Sequence, residues 1–181
     1  LNDNGYYMNN STHSLVGELN SQFKSSLANE LRLGWTRVRD YRDPIGQALP
    51  YIKINNMSGG TSLELGTERF SMANALDQDI FTLTDNLTWT VGNHAVTFGT
   101  YNEFFKMANL YIANGYGSYT YNSLDDFLSI GTADEKAPLY YDYSIPRVEI
   151  TGTNRWKPKF GAAQLGFYAQ DEWSVTNLFR L

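Results

Sequence analysis

His13 and His94 are the only histidines in the chain, and cysteine is absent. They stand far apart, each where an alternating stretch begins, so a metal centre would have to recruit carboxylates from elsewhere. Ordinary structural roles are the expectation for both. Asp77 and Asp79 have the spacing of part of a calcium loop, but the glycine and distal glutamate that such loops need are missing. Asp125 and Asp126 follow Ser123 in SLDDFLSI, a short helix pattern in which Ser123 caps the first turn and the carboxylates favour its positive end. No serine stands in a nucleophile elbow, and no glycine-rich phosphate loop follows a strand. The expectation is a protein that is not an enzyme and needs neither cofactor nor metal. The residues with most ligand-binding character are aromatic: Tyr111, Tyr116, Tyr119, Tyr121, Tyr140, Tyr141, Tyr143 and Trp156. Aromatic side chains on loops stack on sugars or grip peptides, and they equally pack against neighbouring loops.

Composition limits what can position such residues. Aromatics make up 15% of the 181 residues and charged residues only 18%, below the roughly 25% charged content of soluble domains. The net charge is −5 and the basic residues are scattered, which argues against nucleic acid as a partner. Mean hydropathy is −0.41, and no apolar run approaches the length of a membrane helix. A membrane β-strand remains open, because only every second residue of such a strand meets lipid. The opening LNDNGYYMNN has neither a basic n-region nor an apolar h-region, so any export signal is expected outside this stretch.

Period-two alternation marks the elements. Leu15, Gly17, Leu19, Ser21 and Phe23 oppose Ser14, Val16, Glu18, Asn20 and Gln22, and after a turn at Lys24–Ser26 Leu27, Leu31, Leu33 and Trp35 oppose Ala28, Glu30, Arg32, Gly34 and Thr36. The pattern resumes with Phe81, Leu83, Leu87, Trp89 and Val91 against a nearly all-threonine face. Gly92-Asn93 then turns the chain into a partner strand beginning at His94. A last stretch sets Leu165, Phe167, Ala169, Trp173 and Val175 against Gly166, Tyr168, Gln170, Glu172 and Ser174, and Thr176-Asn177 turns into LFRL.

Connections therefore run short, long, short, long, short, at about three, thirty, two, fifty and two residues, against two to six in compact domains. Outer-membrane barrels have this asymmetry, with short periplasmic turns and long extracellular loops. The rhythm predicts loops at about 40–70 and 112–162. Phe23, Trp89 and Trp173 precede the short turns and Trp35 lies a strand's length beyond its turn, as two aromatic belts require. Glu30, Arg32, Gln170 and Glu172 fall on inward, hydrated rows. Asp85 and Asp171 fall in outward rows, where a bulge, a cross-strand partner or a register slip is expected to account for them.

At GFYAQDEW the chain closely resembles a barrel-strand signature of TonB-dependent receptors, carried by Tyr168, Gln170, Asp171, Glu172 and Trp173. NELRLGWTRVRDYRDP, TERFSMANALDQDIFTLTDNLTW, GNHAVTFGTYNEFFK and NGYGSYTYNSLDDF are similar, in order, to segments of the large Oar-like receptors common in Bacteroidetes. The resemblance covers most of the chain. It implies an all-β, antiparallel transmembrane barrel of 22 strands, of which this chain would supply five to six. It further implies a plug domain outside this stretch, active uptake of a scarce substrate in the Gram-negative outer membrane, and TonB as partner through a missing N-terminal region. A surface lipoprotein is a further candidate partner. Five strands and the start of a sixth do not close even the smallest membrane barrel of eight, so a wall segment of a longer protein is expected. Two alternatives stay open: a passive porin-like barrel, and a soluble or surface β-sandwich that binds carbohydrate through its tyrosines.

Overall fold

A computed structural model describes residues 4–181. Five long strands dominate it: β1 (Tyr6–Lys24), β2 (Leu27–Pro44), β5 (Asn74–Val91), β6 (His94–Tyr111) and β9 (Lys159–Thr176). With the short β10 (Phe179–Arg180) they form one sheet in the order β1-β2-β5-β6-β9-β10. Each of the two- or three-residue connections expected from the alternation is a tight turn, at Ser25–Ser26, at Gly92–Asn93 and, one residue later than the expected Thr176-Asn177, at Asn177–Leu178. Two backbone bonds bring the turns to one end of the wall: Thr90 N donates to Ser26 O at 2.8 Å and Ser174 N donates to Asn93 O at 2.8 Å.

The strands are longer than their alternation suggests. β2, β5, β6 and β9 each have 18 residues. At about 3.3 Å per residue and a tilt of about 40°, such a strand rises about 45 Å, well beyond an apolar band of about 25 Å. The excess lies at the ends away from the turns, where apolar alternation stops. The end of β2, RVRDYRDP, is polar on both faces and is held by local bonds instead. Asn9 donates to Asp43 at 3.1 Å, Ile45 N donates to Gly5 O at 3.2 Å, and the Arg42 guanidinium lies 5.7 Å from the Tyr6 ring centroid.

The chain divides into two compact units. Residues 11–38, 77–107 and 159–181 make the wall, and residues 4–10, 39–76 and 108–158 make a loop unit. The second holds a sheet that the sequence reading does not expect. Both long connections contribute to it: β3 (Tyr51–Met57) and β4 (Thr61–Leu65) from one, β7 (Ser118–Tyr121) and β8 (Tyr140–Asp142) from the other. Their order is β4-β3-β7-β8. β3 and β7 run parallel, with Ile52 opposite Tyr119 and Ile54 opposite Tyr121; the flanking pairs are antiparallel. Helix α1 (Leu124–Leu128) forms where SLDDFLSI predicts it, with the Ser123 hydroxyl accepting from Asp126 N at 3.2 Å; α2 (Val148–Thr151) is a single further turn. The buried apolar residues Tyr51, Ile54, Met72, Ala73, Ala75, Leu110 and Tyr121 all belong to this loop unit.

Candidate functional site

Each wall strand sorts its side chains by parity. Leu15, Leu19 and Phe23 of β1, Leu33 and Trp35 of β2, Phe81, Leu87 and Trp89 of β5, Phe98 and Phe104 of β6, and Leu165, Phe167 and Trp173 of β9 make one apolar face. Most of these side chains are exposed, Phe167 at 80%. Leu15, Leu33, Trp35, Phe81, Leu83 and Phe104 line a shallow groove on this face. A continuous apolar surface of this kind is not kept in water by a soluble monomer.

Polar residues within the apolar rows hold one another. Asn29 donates from Nδ2 to the Asp85 carboxylate at 2.6 Å and to Asn86 O at 3.2 Å. Asn102 donates to the Thr100 hydroxyl at 2.7 Å, and Thr100 donates onward to Gly166 O at 2.8 Å. Asp171 lies 2.7 Å from His94 Nδ1, and the His94 ring stacks on Trp173 at 5.6 Å between centroids with only 10° between planes. Both out-of-place carboxylates thus have cross-strand partners. Asn29 is the residue the sequence reading passes over. It sits in the Leu27–Trp35 row, and an amide among leucines is the signal that points to it. Lys106, at the loop end of the wall, lays its ammonium 6.0 Å from the Phe81 ring centroid, as a long cationic side chain does when its stem covers apolar surface.

The opposite face is a hydrogen-bonded polar surface. Arg32 bridges Glu18 at 2.9 Å and Glu30 at 3.0 Å, Thr88 pairs with Thr97 at 3.0 Å, and Arg180 pairs with Glu172 at 2.6 Å. Asn20, Gln22, Glu30, Thr88 and Gln170 line a broad open hollow there. Tyr168 reaches over Gly99 of the neighbouring strand to bond the Asn86 side chain, and a Cβ at Gly99 would overlap both residues. A glycine on one strand covered by an aromatic ring from the next locks the local register. Gly99→Val is expected to destabilise the wall by ~1–3 kcal/mol through overpacking. Tyr168→Ala in the same chain should recover much of that loss; a strictly additive double mutant would show that the ring does not occupy this space.

The loop unit places the tyrosines in different surroundings. Tyr119 of β7 and Tyr141 of β8 face each other in register, their rings 4.8 Å apart and tilted by 34°. Tyr143 continues the exposed segment and Tyr140 lies on the other side of β8. Tyr116 carries the Arg155 guanidinium 4.8 Å from its ring centroid and accepts a hydrogen bond from it. Tyr121, by contrast, belongs to the core, with Phe127 of α1 edge-on at 5.5 Å, and has little surface left for a ligand. Tyr111, Tyr140 and Trp156 are exposed. Burial raises the hydroxyl pKa of Tyr121, and burial followed by the neighbouring Tyr119 raises that of Tyr141. Tyr51 is pushed up to about 12 by burial and then by its bond to Glu64. Its folded value exceeds the ordinary value of 10.0, so its contribution to loop-unit stability is whole below pH 10 and is lost as pH rises toward 12. Tyrosinate absorbance is expected to extend above the ordinary phenol range, and Tyr51→Phe should reduce the amplitude of its latest part. Among the described residues no group of three His, Asp or Glu converges as a metal site.

A sheet with one apolar face, one polar face, aromatics near its turn end and long connections at the other end is the wall of a membrane-spanning β-barrel. The family follows from comparison: the chain matches the outer membrane beta barrel domain over residues 1–181, its whole length, and belongs to that family. It is an outer-membrane protein, and its apolar face is the one that meets lipid. Phe23, Trp89 and Trp173 stand at the turn end of that face, whereas Trp35, the ninth of the 18 residues of β2, stands half-way along its strand and not at the far end expected for it. The soluble β-sandwich alternative is set aside, since a sandwich buries its apolar face against a second sheet. Comparison with curated proteins and with solved structures finds no match.

The lipid gives the Asn29–Asp85 pair a measurable role. Asn29→Ala leaves the Asp85 carboxylate without its amide in the apolar face, and stability in phospholipid vesicles is expected to drop by ~1–3 kcal/mol. Urea unfolding followed by tryptophan fluorescence measures it. Asp85→Leu added to Asn29→Ala should restore most of the loss, and an Asn29→Ala variant as stable as the parent would mean that the pair carries no weight.

Proposed function

We propose that this barrel is a receptor for active uptake, of the kind that TonB-dependent receptors represent, and not a passive pore. The observation that carries the reading is the loop unit: both long connections fold into one body with its own buried core and a set of half-exposed tyrosines. A pore selects by the width and charge of a water-filled channel, whereas a receptor for a scarce substrate needs a shaped capture surface. The similarity of GFYAQDEW and the neighbouring segments to TonB-dependent receptors supports the same reading. In it, the turns at Ser25–Ser26, Gly92–Asn93 and Asn177–Leu178 face the periplasm and the two long connections are extracellular. The wall joins a 22-stranded barrel, and the polar face with Glu18, Arg32 and Gln170 contacts a plug domain. Energy comes from TonB, a surface lipoprotein is a candidate lid, and the chain binds its cargo without chemical change. Vesicle swelling tests this. Liposomes holding the full-length protein should swell in isotonic arabinose no faster than protein-free vesicles, because a plug blocks the lumen. Swelling at the rate of a general porin overturns the receptor reading in favour of a passive pore.

A further inference from the structure

One face of the loop sheet is covered at one end and open at the other. The row Leu63, Ile54 and Tyr121 runs across β4, β3 and β7 and is closed by α1, whose Phe127 meets Tyr121 edge-on. The next row runs Leu65, Ile52, Tyr119 and Tyr141, from β4 to the edge strand β8. It begins beside packed aliphatic side chains and ends in the solvent-facing ring of Tyr141, 55% exposed, with Tyr143, 49% exposed, two residues on, just past the end of β8.

We propose that the Tyr119–Tyr141–Tyr143 ledge is a binding site for a neutral oligosaccharide. This rests on the receptor reading above for its biological setting and names the class of substrate. Tilted aromatic rings rimmed with hydroxyls suit a ligand whose pyranose faces present C–H groups and whose edges present hydroxyls. Each ring supplies apolar contact area, and each phenol can donate or accept at its edge. The ledge is built from uncharged residues. Burial and Tyr119 hold the Tyr141 hydroxyl in its neutral form at ordinary pH, so no phenolate is available to grip a metal chelate. Arg155, the cation among these aromatic residues, is committed to Tyr116 and to Met72 O. Tyr119 and Tyr141 are fixed by paired strands, so little side-chain freedom remains to be lost on binding.

The test uses the full-length barrel in detergent micelles against immobilised cellohexaose, xylohexaose, mannohexaose and maltohexaose, with polygalacturonate and a hexapeptide as charged and peptidic probes. At least one neutral hexaose should be retained. Tyr141→Ala should weaken that retention by roughly three- to ten-fold, Tyr141→Phe should stay within about two-fold because the ring remains, and Tyr140→Ala, across the strand, should change nothing. Heat-modifiable gel mobility reports whether each variant is folded; if Tyr141→Ala is not, Tyr143→Ala carries the same expectation. Retention of polygalacturonate or the peptide with none of the neutral sugars overturns the proposal, as does undiminished binding by the alanine variants. A barrel that swells arabinose vesicles yet holds a hexaose sinks the receptor reading and leaves this site standing.

Discussion

Replacing Phe167 by arginine is expected to cost the folded barrel ~2–4 kcal/mol in a phospholipid bilayer, the penalty for a cation near the midplane of a lipid-facing row. Phe167 is 80% exposed on the apolar face. It stands six residues before Trp173, and six residues of a tilted strand rise about 15 Å from that tryptophan, close to the middle of an apolar band of about 25 Å. Gln170→Arg, three residues along the same strand but on the polar face, should stay within ~0.5 kcal/mol of the parent, as surface substitutions do. Equilibrium urea unfolding in vesicles compares the two. Equal costs would show that the two faces of the wall have been assigned wrongly, because a bilayer distinguishes them and water does not.

Ile54→Ala should cost the loop unit ~2–5 kcal/mol, the range for truncating a large aliphatic side chain in a packed core. Ile54 is fully buried, with Leu63 opposite it on one side and Tyr121 on the other. It therefore joins one connection to the other. Amide exchange should speed up by about 30-fold or more over β3, β4, β7 and β8, since 1.4 kcal/mol corresponds to a factor of ten. Exchange confined to β3 and β4, with β7 and β8 still protected, would mean that each connection is stable by itself.

The wall was largely legible because its signals are local. Alternation in FTLTDNLTWTV and the Gly92-Asn93 turn need only neighbours along the chain, and both aspartates in the apolar rows stand out by the same rule. What the alternation missed was strand length, since beyond the bilayer a strand such as RVRDYRDP has no apolar face to display. The loop sheet carried a weaker local trace, Ile52 and Ile54 alternating in YIKI and Leu63 and Leu65 in TSLEL. Its decisive pairing, β3 parallel to β7, joins residues from two separate connections and has no signature in either stretch. For the same reason the tyrosines read as one cluster from composition, whereas Tyr121 is consumed by the core and Tyr116 by Arg155, leaving Tyr119 and Tyr141 paired with Tyr143 next along the chain. The partners of Asp85 and Asp171 lie one strand away or on the next hairpin, a distance that periodicity alone does not bridge.

The parallel pairing of β3 with β7 also decides what can be cut from this molecule. A synthetic peptide covering residues 51–65 would lack the strand that lies beside Ile52 and Ile54, and one covering residues 118–142 would lack the strand that supports Tyr119. Neither would display the surface the intact chain presents. Antibodies raised against the folded barrel at this end should therefore recognise discontinuous epitopes and fail on denaturing blots. A graft onto another scaffold succeeds only when both segments travel together, with their spacing kept.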